Sequence, residues 1–176
     1  ETPGTKFTRP SSPEGATLGR RDRFMGSHCQ ITVHIIFGLQ MRQKFINEEI
    51  RRYIAGIIND TGGQTVIVGG TYDHVHMLCQ IPKDKSMADF VRTIKSFSSR
   101  WYNKRGFGIM HWQTGYAAFS VSKSNIDKVK DYILHQEEHH KMMTFEEEMI
   151  RYLDDPSAIA AWKKWVFHSD EEDVKD

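Results

Sequence analysis

Thr65-Val66-Ile67-Val68-Gly69-Gly70-Thr71-Tyr72-Asp73-His74-Val75-His76-Met77-Leu78-Cys79-Gln80-Ile81 is the stretch that decides the fold. A β-branched run closes at two glycines, a turn follows over Thr71–Asp73, and a second run ends at Pro82, whose ring cannot continue a ladder. Two such runs across so short a turn predict a hairpin. Side chains alternate along a strand, so Val75, Met77, Cys79 and Ile81 share one face and read as core. His74 and His76 project side by side from the opposite face.

The pattern extends outward in both directions. Upstream, Gln30 to Phe37 alternates as a strand, with Ile31, Val33, Ile35 and Phe37 on one face. Asn47 to Asp60 carries Ile50, Tyr53, Ile54, Ile57 and Ile58 at helical spacing and stops at Gly62-Gly63. Downstream, Ser86 with Asp89 is a capping-box-like start. The helix it opens has Phe90, Val91, Ile94, Phe97 and Trp101 on one stripe. A Gly- and aromatic-rich loop, Phe107 to Tyr116, leads to a last strand, Ala118 to Val121. Ser124 with Asp127 predicts a helix to about His140, and Thr144 with Glu147 a shorter acidic one to about Leu153. Pro156 breaks the chain before a terminal helix, Ala158 to Phe167, that docks through Ile159, Trp162, Trp165 and Val166. The order β-α-β-β-α-β-α predicts an α+β domain: an antiparallel sheet with packed helices, ferredoxin-like.

A chain of 176 residues, 39% hydrophobic and 27% charged, suits one soluble domain with a real core. No run approaches the roughly 18 apolar residues of a membrane span. Residues 1–26, rich in Pro, Gly and Arg, read as a disordered arm; 27–155 form the domain; 156–176 add a helix and an acidic tail ending in Asp170–Asp173. Cys29 and Cys79 lie far apart in strand-like segments, so buried reduced thiols and a cytoplasmic location are expected. The net charge of +1 hides an uneven distribution. Lys83, Lys85, Arg92, Lys95, Arg100, Lys104 and Arg105 face only Asp84 and Asp89, whereas acids dominate from Glu137 onward. A basic middle suits phosphate contact as well as a solvated face.

Chemistry enters with the paired histidines. Two imidazoles at positions i and i+2 of a strand can share one divalent cation, although hydrogen-bonded histidines in such pairs are commoner. Asp73 either orients one ring or makes the turn. On the helix ending at His140, Ile126, Val129 and Ile133 form the buried stripe, with Gln136 close to it and Tyr132 at its edge; His140 follows a turn later. A glutamine carbonyl is an acceptable oxygen ligand for Mg²⁺ or Mn²⁺. A tyrosine hydroxyl, with its pKa near 10, needs such a cation beside a phosphate to act as a nucleophile.

These residues resemble the single-tyrosine HUH transposases, the enzymes of the smallest insertion sequences and their REP-associated relatives. Tyr72 to Leu78 is similar to that family's HUH segment, and Ile31 to Phe37 to its first strand. Ile94-Lys95-Ser96-Phe97-Ser98-Ser99, Trp112 to Ser122, and Tyr132 to His140 with Thr144-Phe145 resemble further blocks, in order over about residues 30–148. The resemblance implies an RRM-like HUH nuclease fold with Tyr132 as nucleophile. His74, His76 and Gln136 would be ligands of Mg²⁺ or Mn²⁺, with no organic cofactor. It further implies cleavage and rejoining of single-stranded hairpin DNA through a 5′-phosphotyrosine, commonly in a homodimer whose partner supplies the tyrosine helix. Lys95, Ser96, Ser98, Ser99 and Arg100, with Arg42, would contact DNA, and Trp112, Tyr116 and Phe107 are candidates to stack on bases, core packing being preferred for Trp112. Where the family often has a Ser-Thr-Lys segment, this chain has Gly38-Leu39-Gln40. The competing expectation is a host-adopted, non-mobile relative that binds or nicks nucleic-acid hairpins.

Overall fold

The structure, a computed structural model, describes residues 28–106, 108–140, 143–153 and 155–163, apart from the side chains at 42, 137 and 139. The expected arm over 1–26, the acidic tail and Phe107 therefore lie outside the described residues. The first strand, β1, spans Thr32–Gly38 and is followed by helix α1, Glu48–Asp60. The hairpin comes next, as β2, Gln64–Gly70, and β3, His74–Gln80. Helix α2, Met87–Asn103, and strand β4, Ala117–Ser120, complete the sheet layer. Three helices follow: α3, Ile126–Leu134, the single turn α4, Gln136–His139, and α5, Phe145–Leu153. Residues 156–163 are helical as well. The sheet order is β2-β3-β1-β4, antiparallel throughout. This is the ferredoxin-like α+β arrangement expected of β-α-β-β-α-β.

Alternation assigns each face. Val33, Ile35 and Phe37 of β1 and Val75, Met77 and Cys79 of β3 meet Ile50, Ile54 and Ile58 of α1 and Phe90, Val91 and Ile94 of α2 in the main core. The opposite face is not open to solvent. Ile36 packs there against Phe145 and Met149 of α5 and against Trp162, one of the four expected docking residues; Trp165 and Val166 lie outside the described residues. Fully buried central strands follow, with β1 buried at every position. Among the described residues no helix is long and apolar enough to cross a membrane.

Capping explains most helix starts. Asn47 accepts from the Ile50 amide at 3.0 Å, and Ser86 from Asp89 at 3.1 Å. Thr144 and Glu147 form the reciprocal box, the Thr144 amide donating to Glu147 at 2.8 Å and the Glu147 amide to Thr144 at 3.3 Å. Several expectations are corrected. Ser124 caps nothing: a 3-10 turn, Lys123–Asn125, precedes α3 instead. The helix predicted to reach His140 breaks at His135, whose ψ of 19° leaves the helical range. On α2 the buried line runs through Ser98 and Tyr102, and Phe97 is half exposed, because steps of four from Ile94 track the sheet better than steps of three. Cys79 is buried as expected, but Cys29 precedes β1 and is exposed.

One glycine sets the position of α3. A Cβ at Gly69 would lie 2.5 Å from Ile133 Cγ2 and 2.8 Å from the Ile133 carbonyl oxygen. Helix α3 therefore rests directly on the backbone of β2. Gly70, at φ +120°, turns the strand beside it. Gly56, inside α1, has nothing within 4 Å of its would-be Cβ. Gly69→Ala is expected to cost about 1–3 kcal/mol by overpacking. Gly56→Ala is expected to add about 0.5–1 kcal/mol by helix propensity. Urea unfolding of the two variants checks the opposite signs, and an unchanged midpoint for Gly69→Ala would remove the close contact.

Candidate metal and tyrosine site

Strand β3 carries His74 and His76 into the second buried layer, where they are 1% and 0% exposed. Each ring is held by its Nδ1. His74 Nδ1 donates to Asp73 Oδ1 at 2.7 Å, and Thr71 Oγ1 donates to the same oxygen at 2.7 Å. His76 Nδ1 faces Nε2 of His34, on the neighbouring strand β1, at 2.9 Å. With Nδ1 protonated in both rings, both Nε2 lone pairs are left free. Burial pushes His74 down to about 4 and His34 down to about 3, so both stay neutral near pH 7.

Helices α3 to α5 close over this pair. Gln136 is 1% exposed, and its Nε2 donates to Glu148 Oε1 at 3.0 Å. The Tyr132 hydroxyl donates to the same carboxylate oxygen. The Tyr132 and His76 rings stand 6.3 Å apart, within one chain. His140 Nε2 donates to Glu148 Oε2 at 2.9 Å. That oxygen lies 3.5 Å from His76 Nε2 and 3.8 Å from His74 Nε2. Phe145 stacks on the His74 ring at 4.3 Å, and Tyr152 meets His34 edge-on at 5.5 Å. Burial, then the Glu148 hydrogen bond and charge, raises the Tyr132 pKa well above its ordinary value. Burial opposes ionisation of Glu148, but the hydrogen bond from His140, the neighbouring His76 ring and the Tyr132 hydroxyl outweigh it and hold the carboxyl low.

Three buried polar atoms here have no hydrogen-bond partner: His74 Nε2, His76 Nε2 and Gln136 Oε1. Buried polar atoms are normally satisfied, so three converging orphans point to an absent electrophile. Two neutral imidazoles and an amide oxygen suit a divalent cation. His74, His76, His140 and Glu148 offer ligand atoms within 4.8 Å of one another and can hold a metal ion. The residues present fit such a group.

The expected site residues thus divide. His74, His76, Gln136 and Tyr132 come together. Sequence reasoning gave no role to His34 or Glu148, and noted His140 only as a neighbour. Glu148 carried the same signal as Gln136, a polar residue on an apolar stripe: it lies among Phe145, Met149 and Tyr152 at helical spacing on α5. His34 needed the strand order.

The expected DNA-facing helix, α2, packs on the other face of the sheet. Ser98 is fully buried, donating to Ile94 O at 2.6 Å and accepting from Trp112 Nε1 at 2.9 Å. Lys95 Nζ donates to the carbonyls of Gln113, at 2.7 Å, and Gly115, and lies 4.8 Å over the Phe37 ring. Its burial lowers its pKa to about 8. For the buried Ser98 the expected phosphate contact is corrected; Lys95, only partly buried, anchors the 112–115 loop through its two hydrogen bonds. Ser96 and Arg100 are exposed, Ser99 partly so, and all three border a concavity with His111 and Thr114. The Arg42 side chain lies outside the description. Trp112 meets Phe37 edge-on at 4.8 Å, which places it in the core as preferred. Tyr116 is only partly buried against that core. Lys95→Met is expected to cost about 1–3 kcal/mol, by leaving two carbonyls unpaired. Arg100→Ala should leave stability within about 0.5 kcal/mol. It should also weaken single-stranded DNA binding and reduce the salt slope by about one. Thermal melts and salt-dependent anisotropy read both outcomes; unchanged DNA affinity in Arg100→Ala would exclude this face.

Known proteins resemble this chain in sequence and in fold. Residues 27–136 match the family model described as "Transposase IS200 like". The chain is 31% identical over 124 residues to the transposase for insertion sequence element IS200 of Salmonella typhimurium and, equally, to that of Salmonella typhi. The match spans 62% of this chain and 78% of each relative. Among solved structures, a REP-associated tyrosine transposase bound to a REP hairpin shares the fold, with a TM-score of 0.51 at 16% identity, covering 68% of this chain and 74% of that one. Since the family model spans well over half of the sequence, including His74, His76, Tyr132 and Gln136, the chain belongs to the IS200-like transposases.

Proposed function

We propose that this chain cuts and rejoins single-stranded hairpin DNA through a covalent 5′-phosphotyrosine at Tyr132, with Mg²⁺ or Mn²⁺ held by His74, His76 and Gln136. The observation that carries the reading is the set of three unpartnered buried atoms, His74 Nε2, His76 Nε2 and Gln136 Oε1, beside the Tyr132 hydroxyl. When bound, a divalent cation polarises the scissile phosphate and offsets its developing charge.

The chain's own residues do the rest. His34 and Asp73 hold the two rings with Nε2 turned inward. Gln136 keeps its amide nitrogen on Glu148, which fixes its oxygen toward the imidazoles. Tyr132 Oη forms the new bond to phosphorus as the phosphorus–O3′ bond breaks. The Oη proton passes to water, and the departing O3′ takes one proton from water to become a 3′-hydroxyl, so no net proton is consumed. No water is consumed, so the phosphodiester energy is retained and a second 3′-hydroxyl can reverse the step. Support for a hairpin substrate comes from the solved neighbour bound to a REP hairpin. The chemistry needs no second copy, because one chain brings Tyr132 to the imidazoles; a homodimer would serve DNA binding, which light scattering with hairpin DNA reads.

Incubation with labelled hairpin DNA and Mn²⁺ is expected to give a denaturation-resistant protein–DNA adduct and a free 3′-hydroxyl. Tyr132→Phe should reduce the adduct to background while retaining DNA binding. Cleavage that persists in Tyr132→Phe, with no adduct in the wild type, would point to water as nucleophile and overturn the reading.

A further inference from the structure

We propose that Glu148 bridges the cation and the nucleophile: Oε2 is an anionic ligand of the metal, and Oε1 positions the Tyr132 hydroxyl. The inference rests on the cation reading above and adds a residue from α5, outside the 27–136 segment shared with the family model.

The geometry divides the carboxylate by oxygen. Oε1 accepts from Tyr132 Oη and from Gln136 Nε2. Oε2 accepts from His140 Nε2 at 2.9 Å and lies against the two unpartnered Nε2 atoms, at 3.5 Å from His76 and 3.8 Å from His74. Those last two approaches are close enough for a shared ion and have no hydrogen-bond geometry. Glu148 is 1% exposed, and among the described residues only imidazoles pair with it as potential cations. A buried carboxylate is costly unless a full positive charge compensates it. A divalent cation satisfies the carboxylate and the orphaned nitrogens together. A donor set of two imidazoles, one amide oxygen and one carboxylate gives a site of net charge +1 with Mg²⁺ or Mn²⁺, where two imidazoles and an amide alone leave +2.

The bridge also ties the tyrosine to the metal. Gln136 touches the cation position with Oε1 and Glu148 with Nε2, and Glu148 touches Tyr132, so three side chains from α3, α4 and α5 move as one unit. The Thr144–Glu147 capping box starts α5 one turn earlier and sets the helix phase that turns Glu148 inward.

Titration calorimetry of the full chain with Mn²⁺ alone, without DNA, tests the ligand role. Wild type should bind one ion per chain. Glu148→Gln, which keeps the shape and removes the charge, should weaken that binding about tenfold or more. Glu148→Asp should recover part of the loss. Glu147→Gln, which preserves the cap, should stay within about twofold of wild type. His76→Ala should abolish binding. Manganese-soaked crystals of the wild type, read by anomalous scattering, need no variant to fold: Glu148 Oε2 should lie in the coordination sphere and Oε1 on Tyr132. If His76→Ala abolishes binding while Glu148→Gln leaves it unchanged, or the crystal shows manganese on His74, His76 and Gln136 with Glu148 outside, the bridge is wrong and the cation reading stands. If wild type binds no manganese, both fall.

Discussion

Unsatisfied polarity inside a sealed layer is the constraint on which the site depends. Two imidazole nitrogens and an amide oxygen sit between the sheet and α3–α5 with no partner, while the Nδ1 atoms of both rings and the Gln136 amide nitrogen are engaged. A fold tolerates such atoms only where a bound species completes them. The second hydrophobic layer makes this demand strict. Phe145 stacked on His74, with Met149 and Trp162 beyond it, keeps water from being the default partner.

Much of this was legible because it is local. Strand alternation places His74 and His76 on one face whatever the rest of the chain does, and helical spacing puts Gln136 near a buried stripe. The three capping signals differ instructively. Ser86 and Thr144 act as written, whereas at Ser124 a 3-10 turn precedes the helix. What could not be read is non-local. His34 matters only once β1 lies beside β3, and a sequence does not display strand order. Glu148 was hidden for another reason: the adjacent Glu147 already explained an acidic residue at the start of a helix.

The basic helix illustrates how composition misleads in detail. A lysine and three serines in six residues read as phosphate donors, yet Lys95 and Ser98 bind the chain's own backbone and Trp112. Ser96 and Arg100 face solvent, on the side of the sheet away from the histidines. Under the proposed function, DNA held there and DNA at Tyr132 would lie on opposite faces of the sheet. A strand that touches both has to pass around an edge of the sheet.

Helix α3 rests on a glycine of its own β2, and this has a kinetic meaning. Packing, not copy number, sets the local concentration of the phenol beside the imidazoles. A protein present at a few molecules per cell assembles these groups as fully as one made in abundance.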